Sequence, residues 1–271
     1  MTPVDLLWLL PLGLLSGLLA GLLGIGGGLV MVPVLLWWLP RQGVPMESAL
    51  HVAVATSLAA IILTALMSGY SHARHGAVEW RRLLWLVPAL LIGSLGATDL
   101  VAALPRAGLQ LFVAAFCLFA SWQMLRGRIA ARPVSTDPQL HRGEALWLLG
   151  GGGVIGAVSA AVGIGGGSLT VPFLSWRGVT LPRAIATSAV CGLPIALAGT
   201  IGYLNQPSVA GLGPLGQGMV AGSVALALGL SSLLSAPLGA RLAHRWPVQR
   251  LRRVFAGLLL LIGLLLAWRA F

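Results

Sequence analysis

The sequence predicts an all-α polytopic membrane protein made of two four-segment inverted repeats, each opening with a glycine-broken helical hairpin, and three observations predict it. The first is composition. The 271 residues are 58% hydrophobic and only 8% charged, with a mean hydropathy of +0.94, whereas soluble domains carry roughly 25% charged residues. The second is run length. Leu, Ala, Val and Gly continue unbroken for about twenty residues at a time, the length of a helix that crosses hydrocarbon, while a membrane barrel would alternate in stretches of ~10. The third is self-similarity: Gly24-Ile-Gly-Gly-Gly-Leu-Val-Met-Val-Pro33 returns as Gly163-Ile-Gly-Gly-Gly-Ser-Leu-Thr-Val-Pro172.

Taken in order, the first apolar segment, 4–39, is too long for one crossing and too short for two crossings and a turn. Its glycine run at 24–28 breaks a helix, because clustered glycine carries a large entropic penalty there. Two half-helices are expected. Segments 46–69, 83–103 and 108–125 each fit one crossing, and a basic loop, 126–144, follows with Pro133 and Pro138. Segment 145–176 repeats the first pattern with glycines at 163–167. Segments 183–203, 217–240 and 251–268 again cross once. Similarity continues through Ala55-Thr56-Ser57 with Ala186-Thr187-Ser188, Gly69-Tyr70 with Gly202-Tyr203, Gly96-Ala97 with Gly239-Ala240, and Phe112 with Phe255. The chain therefore divides into a first membrane repeat, 1–125, a cytoplasmic linker, 126–144, and a second repeat, 145–271. Met1 to Asp5 lacks the basic start of a signal peptide, so the first segment is expected to stay in the mature protein.

Arginine placement sets the topology. All 17 cationic residues are Arg, against six acids, for a net charge of +11. If every segment crosses once, the arginines split eight to nine between the faces. If the two long segments return to their starting side, one face holds fourteen and the other three, Arg41, Arg106 and Arg269. The second arrangement satisfies the positive-inside rule. It places both termini outside, the linker in the cytoplasm, and equivalent loops of the two halves on opposite faces, as in an inverted repeat. The arginines cluster between apolar runs, which points to phospholipid headgroups as partners and away from nucleic acid. All ten tryptophans fall near segment ends, as aromatic belts do.

The glycine runs carry the chemistry. No strand and no following acid accompanies them, so they are not a dinucleotide loop. The stripes Gly13, Gly17, Gly21 and Gly152, Gly156 recur every fourth residue and read as close helix packing. Four glycines within five positions exceed that need, and irregular backbone at membrane depth survives around a cavity or inside protein. The half-helix after each run presents free N–H groups and a positive dipole end, which favours an anion. The candidate substrate-binding set is therefore Gly24, Gly26, Gly27 and Gly28 with Gly163, Gly165, Gly166 and Gly167. Ser168 and Thr170 add hydroxyls in the second half, where the first has Leu29 and Met31. Thr56, Ser57, Thr187 and Ser188 join the set because they recur at equivalent positions.

Ionisable groups inside spans are suspects by default. His51 is a candidate proton or anion contact, and so is Asp99, one turn from the end of its segment. His72 and His75 lack the companions of a metal pair, and Cys117 and Cys191 sit singly in apolar runs, so neither metal nor cofactor is expected. No metalloprotease helix, phosphate loop or nucleophile elbow occurs, which argues against an enzyme.

The two Gly-Ile-Gly-Gly-Gly…Val-Pro hairpins, the Ala-Thr-Ser motifs, and Leu-Gly-Ala-Arg-Leu-Ala…Pro…Arg-Leu-Arg-Arg over 238–253 resemble the TauE/SafE family of sulfite and sulfonate exporters. The resemblance spans nearly the whole chain. It implies a bacterial inner-membrane secondary transporter or facilitator that exports a small anion such as sulfite or an organosulfonate. Thr98-Asp99 stands where the second half has Arg241-Leu242, which breaks any symmetric role for Asp99. The competing reading is an intramembrane structural or assembly protein, or an enzyme without transport activity.

Overall fold

The computed structural model describes residues 5, 7–23, 27–126, 142–243 and 248–268. Gly24 and Gly26 and nearly all of the 126–144 linker therefore lie outside the described residues. Within them the chain forms ten α-helices: α1 (Leu10–Leu23), α2 (Gly28–Trp38), α3 (Ala49–Arg74), α4 (Trp80–Ala103), α5 (Arg106–Arg126), α6 (Arg142–Val162), α7 (Gly167–Trp176), α8 (Leu181–Leu204), α9 (Gly222–Ala243) and α10 (Val248–Trp268). Six of them, α3 to α6, α8 and α9, are long and apolar enough to cross a membrane. This is an all-α polytopic membrane protein.

Both long apolar segments break at their glycines, between α1 and α2 and between α6 and α7. The first break leaves helices of 14 and 11 residues, as expected, whereas the second leaves unequal arms, which corrects the expectation of two half-helices there. α6 has 21 residues and α7 only 10, about 31 and 15 Å of helix at ~1.5 Å per residue. The reason is visible in the sequence. Eighteen apolar-rich residues precede Gly163, and helical bonding extends upstream to Arg142. A second difference lies before α9. Instead of helix from 217, strands β1 (Gly216–Gln217) and β2 (Val220–Ala221) pair antiparallel, with Gly218 at positive φ between them.

Packing follows the exchange of halves. α1 packs on α9 and α6 on α4; α3 packs on α9 and α8 on α4; α2 packs on α3 and α7 on α8. The equivalent helices α3 and α8 also pack on each other, as do α5 and α10. Small residues make the closest of these contacts. A methyl on Gly13, Gly17 or Gly21 would press into the backbone of α9, and one on Gly156 into that of α4, so the expected stripes do bring helices to van der Waals contact. α3 and α8 form the centre: three quarters of each apolar stretch is buried, 72% in both.

Tryptophan mostly faces outward, as Trp8, Trp37, Trp80, Trp85, Trp122, Trp147, Trp176 and Trp268 are exposed. Trp38 differs, being buried against the core. Next to it, Arg41 stacks over the Trp37 ring and donates to its carbonyl, a pairing of cation and aromatic suited to the headgroup boundary.

Candidate functional site

Gly27 and Gly166 begin α2 and α7 in the left-handed region, at φ 71° and 77°, and neither helix start has a side-chain cap. Only glycine adopts this geometry at no steric cost. The first intrahelical bonds run from Val30 N to Gly27 O (3.2 Å) and from Leu169 and Thr170 N to Gly166 O (3.1 and 2.8 Å). The N–H groups of Gly28 and Leu29, and of Gly167 and Ser168, precede these bonds, where no carbonyl of their own helix can reach them.

The two turns lie against each other. A methyl on Gly28 would overlap the Gly163 carbonyl, and one on Gly163 would meet Ser57 Oγ and the backbone of Val54. Ser57 Oγ donates to Gly163 O at 2.9 Å and to Val54 O at 2.8 Å. Ser57 stands eight residues into α3, about 12 Å along its axis, and Ser188 seven residues into α8, where it donates to Ile185 O at 2.8 Å. Gly192, one turn further, faces the Gly165 carbonyl. The juxtaposition changes the physical reason for the glycines. On their Cα faces Gly27, Gly28, Gly163 and Gly166 give room to Ser16, to the opposite turn, to Ser57 and to Ile195, so close packing on the Cβ side also requires glycine at these positions.

A set of hydroxyls surrounds the turns. Ser16 lies against Gly27, and Ser159 and Thr170 lie beside Gly166. With Ser168 they are 0–5% exposed, and none of their side-chain oxygens has a partner among the described residues. Most buried polar atoms in proteins are hydrogen-bonded, and an unpaired one costs about 1–3 kcal/mol. Ser168 and Thr170 were legible because they replace Leu29 and Met31, both fully buried. Ser16 and Ser159 were not. A single serine in an apolar helix reads as bonding its own backbone, and nothing in the sequence places it beside a turn closed by another helix.

The remaining candidates have other partners. Thr56 Oγ1 accepts from Ala221 N at 3.1 Å, and Thr187 Oγ1 accepts from Glu79 N at 2.9 Å while donating to Arg183 O. Ala221 and Glu79 immediately precede α9 and α4, so each threonine ties the start of an equivalent helix to the first third of α3 or α8. A 2.8 Å ion pair between Arg183 and Glu79 reinforces the second tie. His51 Nε2 donates to Val101 O, 3.2 Å away near the end of α4. Asp99 is exposed and accepts from Gln206 Nε2 at 2.6 Å, linking α4 to the segment after α8. The structure thus joins Gly27, Gly28, Gly163, Gly165, Gly166, Gly167, Ser57, Ser168 and Thr170 in one region, and gives Thr56, Thr187, His51 and Asp99 contacts at helix ends.

Broken helices whose glycine turns meet inside a bundle of crossing helices are an architecture of many polytopic membrane transporters. The chain belongs to the TauE/SafE family, described as sulfite exporters, which it matches over residues 9–266. Among its relatives is a "probable membrane transporter protein" of Haemophilus influenzae, 32% identical over 257 residues, covering 93% of this chain and 94% of that one. Others of similar description come from Methanocaldococcus jannaschii, at 26% identity over 96% of both chains, and from Bacillus subtilis, where YunE is 24% identical over 94% of both. No solved structure matches.

Proposed function

We propose that this chain exports a small anion of the sulfite or organosulfonate class, as a secondary transporter or facilitator, through a site at the two glycine turns. The single observation that carries the reading is the group of buried hydroxyls without protein partners around two uncapped helix starts. An –SO₃ group offers three acceptor oxygens and negative charge, and it is complementary to hydroxyl donors and N–H groups at positive dipole ends. Dipoles without a fixed cation hold an anion weakly enough to release it. Export needs no coupling ion, since an anion leaving a cell with a negative interior gains about 2.3 kcal/mol per charge per 100 mV.

In this proposal the repeats are inverted, with both termini outside, the linker in the cytoplasm, and the protein in a bacterial inner membrane. Two features support the inversion: the arginine split, and the threonine ties that set the start of α9 beside that of α3 and the start of α4 beside that of α8. Ser57, Ser188, Ser168, Thr170 and the turn glycines form the site, Gly24 and Gly26 among them, and Thr56 and Thr187 act as its supports.

The test is Ser168→Ala with Thr170→Val, measured by thermal stabilisation and proteoliposome flux with sulfite, sulfate, sulfoacetate, taurine and chloride. Both hydroxyls lack protein bonds, so stability without anion should hold or rise. Affinity for the stabilising anion should fall by about ten- to hundredfold, the loss of a charge-assisted hydrogen bond. An undiminished anion response in the double variant, or no response to any anion in wild type, overturns the reading. Gly27→Ala does not discriminate, because its methyl would overlap Ser16 whatever the site binds.

A further inference from the structure

The C-terminal ends of α3 and α9 enclose a half-open cavity of about 480 Å³. Arg74 and His75 line it from α3, Arg241 lines it from α9, and Tyr70, Ser71 and Met67 form the wall below them. No carboxylate is among the lining residues. Arg74 lies 5.7 Å from the centroid of the Tyr70 ring, an arrangement that holds the guanidinium over the cavity edge. Tyr70 itself is 59% exposed.

The surface that leads away from this cavity is apolar. Leu66 and Tyr70 are one turn apart on α3, as are Leu230, Leu234 and Leu238 on α9, and all five are exposed. Residues four apart share a helix face. α9 therefore presents a stripe of three leucines, and α3 presents Leu66 and Tyr70, each leading towards the arginine at the end of its helix. Two arginines in a cavity walled by a tyrosine, next to exposed leucines, match the parts of one molecule: a phosphate head, a glycerol backbone beside the aromatic ring, and acyl chains along the apolar surface.

The corresponding end of the other half lacks these parts. Thr98 and Asp99 stand where Arg241 and Leu242 do, Thr98 fills the face of Gly202, and Tyr203, the counterpart of Tyr70, is fully buried with its hydroxyl on Ala160 O at 3.2 Å. The cavity is thus a feature of one end of the molecule and not a by-product of the repeat.

We infer that the ends of α3 and α9 form a specific binding site for the phosphate head of an anionic phospholipid, held by Arg74 and Arg241 with Ser71 and His75 beside them. Basic pockets between membrane helices bind such heads, and each arginine near the surface contributes about a fivefold gain in affinity. The site is independent of the substrate reading, since its residues are separate from the turns and its readout needs no transport.

The experiment titrates the detergent-solubilised full chain with dihexanoyl-phosphatidylglycerol, dihexanoyl-phosphatidylcholine and inorganic phosphate, following the melting temperature. Wild type should be stabilised by the anionic lipid well below the concentrations at which the zwitterionic lipid or free phosphate acts. Arg74→Gln and Arg241→Gln should each raise the midpoint for the anionic lipid about fivefold, while Arg253→Gln, an exposed arginine on α10, should not. Equal midpoints in wild type and both pocket variants overturn the site. Equal potency of inorganic phosphate overturns the lipid and leaves an oxyanion site, and equal potency of phosphatidylcholine overturns the role of charge. Melting temperatures before lipid addition show whether each variant is folded.

Discussion

Thr56 and Ser57 are neighbours in sequence with different partners, and the same holds for Thr187 and Ser188. Adjacent residues on a helix point about 100° apart, so Ser57 reaches the Gly163 carbonyl while Thr56 reaches Ala221 on another element. The recurrence of Ala-Thr-Ser was legible in the sequence; the division of labour was not. α3 is apolar on every side, and no hydrophobic stripe orients it. The bonds do predict an effect of substitution. Thr56→Val should lower thermal stability by about 1–3 kcal/mol, because it strands the buried Ala221 N–H, and Thr187→Val by less, because Glu79 is only partly buried and keeps its ion pair with Arg183. Thermal unfolding in detergent measures both. Unchanged melting with lost flux would return the threonines to the substrate.

At the scale of elements, glycine has two uses that number and spacing already separated. Every fourth residue, it lets helices touch; in a run, it ends one helix and starts the next. The stripes were legible because small residues at i and i+4 face one neighbour. The mutual packing of the turns was not, because Gly28 and Gly163 belong to different halves and only the tertiary fold sets one carbonyl against the other glycine. The two kinds of environment give opposite predictions for the same substitution. Gly17→Ala should destabilise by about 1–3 kcal/mol, since its methyl would overlap the α9 backbone at Ser232 and the Ser235 hydroxyl. Gly96→Ala in α4 has open space around it and should stabilise by up to about 1 kcal/mol through helix propensity. Melting curves of the pair check this, and a loss of stability in both would mean that α4 has an unseen neighbour at Gly96.

For the whole molecule, the arginine split leads to a topology that reporter fusions can read. A fusion after Ala130 should report the cytoplasm and one after Gly213 the outside; an outside location at 130 would overturn the proposed inversion. The crossing helices were legible because apolar runs of about twenty residues stand out in a sequence directly. Which helix packs on which was hidden, and that pairing governs how the protein is made. α1 has its glycine stripe on α9, while α4 packs on α6, so neither half contains the principal partner of its own first helix. On the ribosome α1 emerges early and α9 almost last. At about 5–20 residues per second the interval is on the order of tens of seconds. Throughout it the Gly13, Gly17 and Gly21 face must sit against lipid or a helper protein. Assembly is then a matter of timing: α9 is the closing piece, and a chain stopped before residue 222 leaves α1 with nothing to receive it.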